Sequence, residues 1–215
     1  GLDRITAIPL GVDDRFRPAA PDELGALQAW GLEPRGYGLC ISMLEPRKKI
    51  AELIEAWQAL PDSVRRRFPL VLAGGGGWNN DALHDAIEKA SAEGWLRHLG
   101  FVDDDKLPSL YAGAALFLYP SIYEGFGLPP LEAMASGVPV ITSGRSCLPE
   151  VGGEAVRYVD PEDIPAFAKA IAESLLDEDW RSAAIRRGLQ RAREFSWARC
   201  IDATADVYRN LSVLR

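Results

Sequence analysis

Short apolar runs alternate along the chain with longer stretches in which apolar residues recur every three or four positions. The runs at 70–73 and 115–119 have the length and composition of buried parallel strands. Between residues 50 and 60 the apolar side chains form one helical stripe, made by Ile50, Leu53, Ile54 and Trp57. This alternation predicts an α/β domain with a Rossmann-like parallel sheet flanked by helices on both faces.

The same pattern predicts the order of the elements along the whole chain, in which no internal repeat is found. Strands are predicted over 5–10, 37–42, 70–73, 96–102, 115–119, 138–142 and 155–159. Helices are predicted over 21–30, 50–60, 82–92, 103–111, from 129 onwards, and over 161–176, 178–195 and 196–211. The glycine run at 74–77 is predicted to be only a turn, because Asn79 breaks the G-x-G-x-x-G spacing of a dinucleotide site.

The loop after the strand at 115–119 has the composition of an anion-binding turn. Gly125 and Gly127 allow backbone conformations and close approaches that a side chain would block. Pro129 and Pro130 suit the first turn of a helix, so a helix is predicted to begin there with Glu132 on its first turn. A helix N-terminus behind a glycine loop binds phosphate through free N–H groups and the positive end of the helix dipole.

Two glutamates, Glu124 and Glu132, flank this predicted phosphate site. Taken singly, Glu124 fits a solvated loop acid and Glu132 a first-turn acid that complements the helix dipole. As a pair they suit neighbouring sugar hydroxyls, because each carboxylate accepts several hydrogen bonds. A phosphate site between two such carboxylates indicates a nucleotide sugar. The alternatives are a non-catalytic nucleotide-sugar-binding module, or a glycoside hydrolase whose two carboxylates lie about 5 to 9.5 Å apart.

Composition narrows the classes of protein that fit. The 215 residues, of which 47% are hydrophobic and 26% charged, suit one globular domain with a sizeable core. The 24 basic and 31 acidic residues give a net charge of −7, which argues against a general nucleic-acid surface. Cys40, Cys147 and Cys200 are odd in number and lack metal spacing, so they predict a reducing, cytoplasmic compartment.

The segment EGFGLPPLEAMASGVPVI, residues 124–141, resembles the signature of the retaining family-4 glycosyltransferases of the GT-B architecture. The wider similarity covers essentially the whole chain, and it implies the C-terminal, donor-binding half of a GT-B fold. By this resemblance Glu124 faces the hydroxyls of the transferred sugar, and Glu132 holds the nucleotide ribose. The loop from Gly125 through Phe126 and Gly127 to Leu128 is implied to meet the sugar and the diphosphate with its backbone amides.

A basic segment follows the strand predicted at 37–42. Arg47 and Lys48 lie just past the strand end, where the ligands of open parallel sheets gather, although a solvated turn explains such charges equally well. The segment LEPRKK, residues 44–49, resembles the family motif whose basic residues grip the donor diphosphate. The chain departs from the family at Ser42-Met43, where the family often has Gly-Arg or Gly-Thr. It departs again at Lys49, where the family commonly has glycine or asparagine. These departures weaken the assignment of Arg47 more than that of Lys48.

Phe101 and Val102 belong to a stretch that resembles the family segment whose backbone lies against the nucleotide base. The neighbouring acids Asp103–Asp105 contain an Asp-x-Asp pattern, but acids before Lys106 also fit a helix start. The resemblance implies metal-independent chemistry, so neither a metal nor a cofactor is expected. The donor substrate is expected to be a nucleotide diphosphate sugar, and the style of the LEPRK motif favours GDP-mannose.

The final predicted helix indicates how this chain is expected to relate to a second domain. Ser196 is expected to cap it, and Ile201, Ala205 and Tyr208 share one side. In the GT-B family such a helix crosses back to the other domain, so 1–215 is expected to be one nucleotide-sugar-binding domain that lacks its N-terminal acceptor-binding partner. No apolar run approaches the roughly 18 residues of a membrane span, and the start of the chain does not resemble a signal peptide. Peripheral contact with the inner membrane through the absent domain is left open.

Overall fold

The structure is a computed structural model that describes residues 5–76 and 81–213, with side chains described as far as residue 210. Its centre is a six-stranded sheet in which every paired strand is parallel. The strands are β1 Gly38–Ile41, β2 Leu70–Ala73, β3 Leu96–His98, β4 Leu116–Tyr119, β5 Val140–Ser143 and β6 Arg157–Val159. The predicted parallel α/β fold is confirmed.

Helices connect these strands and continue beyond the last one. The α-helices are α1 Ile50–Gln58, α2 Asp62–Arg67, α3 Asp81–Ala92, α4 Leu107–Ala112, α5 Leu128–Ala135, α6 Leu148–Gly152, α7 Ile164–Leu176, α8 Glu178–Ala192 and α9 Trp197–Val213. The 3-10 helices Pro21–Trp30 and Pro46–Lys48 precede β1 and α1. Within the described ranges, none of these helices is both long enough and apolar enough to cross a bilayer.

The sheet order is β3-β2-β1-β4-β5-β6. The strands β2 and β3 are therefore added on one side of β1, and β4, β5 and β6 are added on its other side. Ligands of open parallel sheets bind at such a switch point, outside the carboxyl ends of the two neighbouring strands. The segments that leave β1 and β4 at this edge contain Lys48 and Glu124. The topology therefore brings together two predicted site residues that are 76 positions apart in the sequence.

Alternating residues of β4 separate two hydrophobic cores, one on each face of the sheet. Phe117 and Tyr119 lie in the core beside α5 and α8, whereas Leu116 and Leu118 lie in the core beside α1 and α7. Helices therefore cover both faces, as the continuous apolar strands predict. At Gly38 in β1, a Cβ atom would lie only 2.2 Å from the Trp57 ring, so this close helix packing requires glycine.

Several predicted boundaries were wrong. Residues 5–10 form no strand, and the chain meets its C-terminal part just after them, through a bridge between Val12 and Ser196. The side chain of Ile5 is 72% exposed, so no strand in the described part of the chain buries it. The strand predicted at 96–102 ends at His98, and the helix predicted at 103–111 begins at Leu107. The short helices α2 and α6 were not predicted, and the glycine turn at 74–77 lies partly outside the described residues.

The last helix, α9, presents apolar side chains to solvent. Its start is capped as predicted, because the Ser196 hydroxyl accepts a hydrogen bond from the Arg199 amide at 3.3 Å. Ile201 is 64% exposed and Tyr208 is 71% exposed, as expected of an apolar helix side that this chain leaves uncovered. Packing of this side against an N-terminal domain stays a prediction.

Candidate functional site

A compact group of side chains, here called the Lys48–Glu124 cluster, lies at the switch point and consists of Arg47, Lys48, Tyr119 and Glu124. The Lys48 ammonium donates to Glu124 Oε1 at 2.5 Å and to the Tyr119 hydroxyl at 2.7 Å. The Tyr119 hydroxyl donates to the same Glu124 oxygen at 3.0 Å. Lys48 is 7% exposed, so an ammonium is nearly withdrawn from water and is held by a carboxylate.

Arg47 supports the cluster from its exposed side. Its guanidinium donates to Glu124 Oε1 at 3.2 Å and to the Tyr123 carbonyl at 2.9 Å, and it pairs with Glu45 at 2.8 Å. The structure thus brings the predicted residues Arg47, Lys48 and Glu124 into one group. Two cations therefore converge on the Glu124 carboxylate, and one of them, Arg47, is shared with Glu45.

Backbone contacts join the loop after β1 to the loop after β4. The Ile122 amide donates to the Arg47 carbonyl at 2.9 Å, which fixes one loop against the other.

Lys49 ends the 3-10 helix with a φ of 55°, in the left-handed region that favours glycine and asparagine. Its ammonium pairs with Glu52 at 2.7 Å and with Glu162 at 3.0 Å, rather than with Glu124. Lys49 therefore adopts a backbone conformation that glycine or asparagine adopts more readily.

The electrostatic balance around Glu124 favours its charged form. Partial burial works to raise the pKa of the Glu124 carboxyl, but hydrogen bonds from Lys48, Ser121 and Tyr119 and the charge of Lys48 outweigh it and lower the pKa overall. Glu124 is consequently held as a carboxylate at neutral pH. An ionised carboxylate accepts hydrogen bonds and does not donate them, so it suits sugar hydroxyls.

The loop that follows Glu124 has the predicted glycine geometry. Gly127 has a φ of +99° and precedes the first residue of α5, where an added Cβ would lie 3.0 Å from the Leu148 side chain. At Gly125 an added Cβ would meet nothing within 4 Å, which leaves room for a close approach to the backbone. The N–H groups at the start of a helix have no intrahelical partners, and the two prolines after Leu128 have no N–H. The amides suited to an anion are therefore those of Phe126, Gly127 and Leu128.

The position of Glu132 corrects one detail of the sequence prediction. Because α5 begins at Leu128, Glu132 lies in the second turn of the helix rather than the first, so it does not simply complement the helix dipole. Its carboxylate accepts a hydrogen bond from the buried Tyr111 hydroxyl at 2.7 Å. Burial raises the pKa of Glu132, while the Tyr111 hydrogen bond and the charge of Arg15 oppose that rise.

The remaining predicted residues lie along the loop after β3. Phe101 is 78% exposed, whereas Val102 is buried in the core beside α4 and α5. Asp103 pairs with Lys106 at 2.6 Å, and the Asp104 carbonyl accepts a hydrogen bond from Arg15. Among the described residues, no group of three or more metal-ligating side chains is found.

Sequence reasoning missed Tyr119, Tyr111 and Ser146. Tyr119 belongs to an apolar run and Tyr111 ends a predicted helix, so neither hydroxyl gave a signal that pointed to the site. The Ser146 hydroxyl donates to the Glu124 carbonyl at 2.9 Å and lies 3.3 Å from the Glu124 amide. Its partner is 22 positions away, so no local pattern indicated this contact.

The doubly wound sheet and the cluster at its switch point define a chain with the glycosyltransferase GT-B type of fold. WaaG, a glycosyltransferase involved in lipopolysaccharide biosynthesis, aligns with a TM-score of 0.81 and 20% identity over 96% of this chain and 57% of its own. The C-terminal domain of a glycosyl transferase group 1 family protein from Francisella tularensis aligns with a TM-score of 0.72 and 25% identity over 86% of this chain and 97% of its own.

The chain belongs to the family described as glycosyl transferases group 1, whose model matches residues 30–191. It is 47% identical, over 210 residues and 97% of its length, to the O-antigen chain mannosyltransferase B of Escherichia coli. It spans 55% of that relative and 24% of a serotype-specific mannosyltransferase of the same organism. The chain thus corresponds to about half, or less, of the curated relatives that it matches.

Proposed function

We propose that this chain is the donor-binding domain of a retaining glycosyltransferase. The observation that carries the proposal is the Lys48–Glu124 pair, 2.5 Å apart at the switch point of a group 1 family fold. A nucleotide sugar needs cationic groups for its diphosphate and an ionised acceptor for its sugar hydroxyls. Family membership favours sugar transfer over glycoside hydrolysis.

The donor is proposed to lie across the carboxyl ends of β1 and β4. Lys48 and Arg47 bind the diphosphate, which gains negative charge as the sugar bond breaks, and fixed cations stabilise that charge without reorganising. The amides from Phe126 to Leu128 contact the same group, and Glu124 accepts hydrogen bonds from the sugar. Glu132 binds the ribose, and the backbone at Phe101 and Val102 lies against the base.

The proposed donor is GDP-mannose and the proposed acceptor is a glycan or a lipid-linked glycan. The support is the 47% identity to a protein named O-antigen chain mannosyltransferase B, together with the LEPRK segment. The acceptor is proposed to bind an N-terminal domain of the same protein, against which the exposed side of α9 packs. A thermal-shift panel of GDP-mannose, UDP-glucose and the free nucleotides tests the choice of donor.

Replacing Glu132 with alanine is expected to weaken nucleotide binding itself, because the carboxylate is proposed to bond a ribose that the donor and the free diphosphate share. Calorimetry with GDP, UDP and dTDP measures the loss. Glu88→Ala is the matched control, since Glu88 is an exposed acid on α3. If the wild type binds at least one of these nucleotides and Glu132→Ala binds it equally well, the ribose assignment is wrong.

Donor binding is expected to survive chelation. Arg47, Lys48 and the amides before α5 supply the positive field that a metal would otherwise provide. Calorimetric titration of the donor with and without EDTA should therefore give the same affinity. The result that contradicts this expectation is a strict requirement for magnesium or manganese that Asp103→Ala abolishes, because it would assign a metal to the acidic triple.

A further inference from the structure

We propose that the buried hydroxyl of Tyr119 is a positioning group that holds Lys48 and Glu124 against each other and presents one Glu124 oxygen to the donor sugar. The inference rests on the function proposed above for the Lys48–Glu124 cluster. It concerns a residue that no sequence motif indicated. Tyr119 itself is not proposed to touch the reacting atoms.

The directions of the three hydrogen bonds follow from the chemistry of their groups. An ammonium only donates and an ionised carboxylate only accepts. The Tyr119 hydroxyl must therefore accept from Lys48 at 2.7 Å and donate its single proton to Glu124 at 3.0 Å. Lys48 closes the ring by donating to the same Glu124 oxygen at 2.5 Å. The hydroxyl thus has one orientation that satisfies both neighbours.

Packing holds the Tyr119 ring in place. The side chain is 3% exposed, and its ring stacks on that of Phe117 with centroids 6.1 Å apart and planes 16° apart. The Lys48 ammonium also lies 5.0 Å from the Tyr119 ring centroid, within the range of a cation–π contact. The hydroxyl is consequently a rigid reference point at the end of β4, while lysine is a flexible side chain with four carbons in its stem.

This arrangement leaves specific atoms for a donor. The hydrogen bonds from Lys48, Arg47 and Tyr119 all end on Glu124 Oε1, so none of these three donors occupies Oε2, the oxygen proposed to accept from a sugar hydroxyl. Lys48 uses two of its three N–H groups within the ring and keeps a third for a phosphate oxygen. Lys48 can then contact the diphosphate without releasing Glu124.

The hydrogen bond from Tyr119 also affects the charge of Glu124. The charged and titratable groups that face Glu124 are Lys48 and Arg47 from the 3-10 helix, Tyr119 from β4 and Cys147 from the start of α6. The hydrogen bond from Tyr119 works to lower the pKa of Glu124. Its removal raises that pKa, so Glu124 becomes protonated at a higher pH than in the wild type.

Tyr119→Phe tests the inference, because phenylalanine keeps the ring and its stack while it removes the hydroxyl. The control is Tyr37→Phe, which removes an equally buried hydroxyl that donates to the Leu110 carbonyl at 2.6 Å, away from the cluster. A carbon-13 NMR titration of the Glu124 carboxyl in the ligand-free protein measures the pKa. Calorimetry with GDP-mannose and GDP measures the contribution of the sugar to affinity.

We expect Tyr119→Phe to raise the Glu124 titration midpoint and to reduce the affinity for GDP-mannose by about tenfold or more, since hydrogen bonds to charged groups contribute strongly. The affinity for GDP should fall by less, and Tyr37→Phe should change neither. An unchanged Glu124 midpoint in Tyr119→Phe overturns the inference whether or not a donor binds. The inference is also overturned if Tyr119→Phe and the wild type show the same ratio of GDP-mannose affinity to GDP affinity. A wild type that binds no nucleotide sugar contradicts the proposed function instead, while the NMR titration still decides the role of Tyr119.

Discussion

The 215-residue chain is expected to bind a nucleotide sugar but not to transfer the sugar efficiently, even with Lys48 and Glu124 in place. A GT-B enzyme reacts in the cleft between two domains, and the chain spans 55% of the mannosyltransferase B that it resembles. Alignment of donor and acceptor contributes roughly 7 to 11 kcal/mol to lowering a reaction barrier. A chain that forms only the proposed donor side of the cleft loses most of that contribution, so slow donor hydrolysis is the most that we expect.

A covalent fusion provides the measurement. Joining the chain to the part of the E. coli relative that it does not cover should restore transfer of mannose from GDP-mannose, followed with a radiolabelled donor. In that fusion Glu124→Ala is expected to abolish turnover while the affinity for GDP falls far less, because the carboxylate is proposed to contact the sugar and not the nucleotide. Efficient transfer by the unfused chain would show that the acceptor side is already complete.

Lys48→Met is expected to reduce the rate of transfer by the fused enzyme about 100-fold to 1000-fold, as the loss of one preorganised charge-stabilising donor does at comparable sites. Methionine keeps the length of the side chain but removes the ammonium that stabilises the leaving diphosphate. Glu124 also loses its shortest hydrogen bond, the 2.5 Å contact from Lys48. The effect should therefore appear in kcat as well as in donor affinity.

Steady-state kinetics, with Lys169→Met as the control, distinguish stabilisation of the leaving diphosphate by Lys48 from the effect of losing any one positive charge. Lys169 lies on α7 with its side chain 77% exposed, and its pair with Glu173 at 3.9 Å is a weak surface contact. We expect the control to retain wild-type kcat and KM. Equal kcat values for Lys48→Met and Lys169→Met would rule out stabilisation of the leaving group by Lys48.

Much of the fold follows from local pattern. The apolar runs at β2 and β4 and the stripe on α1 identify buried strands and an amphipathic helix, because a side-chain period is set by the backbone geometry of each element. The prediction for residues 5–10 failed for a related reason. An apolar run indicates that a segment is able to form a β-strand. The strand forms only where the edge of another strand is available to pair with it.

In the candidate site, too, some features follow from local sequence and others only from tertiary structure. The glycine loop, the two prolines and the pair of glutamates are local features, and the sequence by itself determined that a glycine turn follows Glu124 and leads into α5. Tertiary structure decided which groups meet there. Lys48 contacts Tyr119 and Glu124 across 71 and 76 positions of sequence, and Tyr111 reaches Glu132 across 21. Such contacts depend on which strands lie side by side, and β1 neighbours β4 only because the sheet restarts beside its first strand. The periodicity of apolar residues within one segment does not indicate which strands become neighbours. The order of the strands depends on the packing of all of them together.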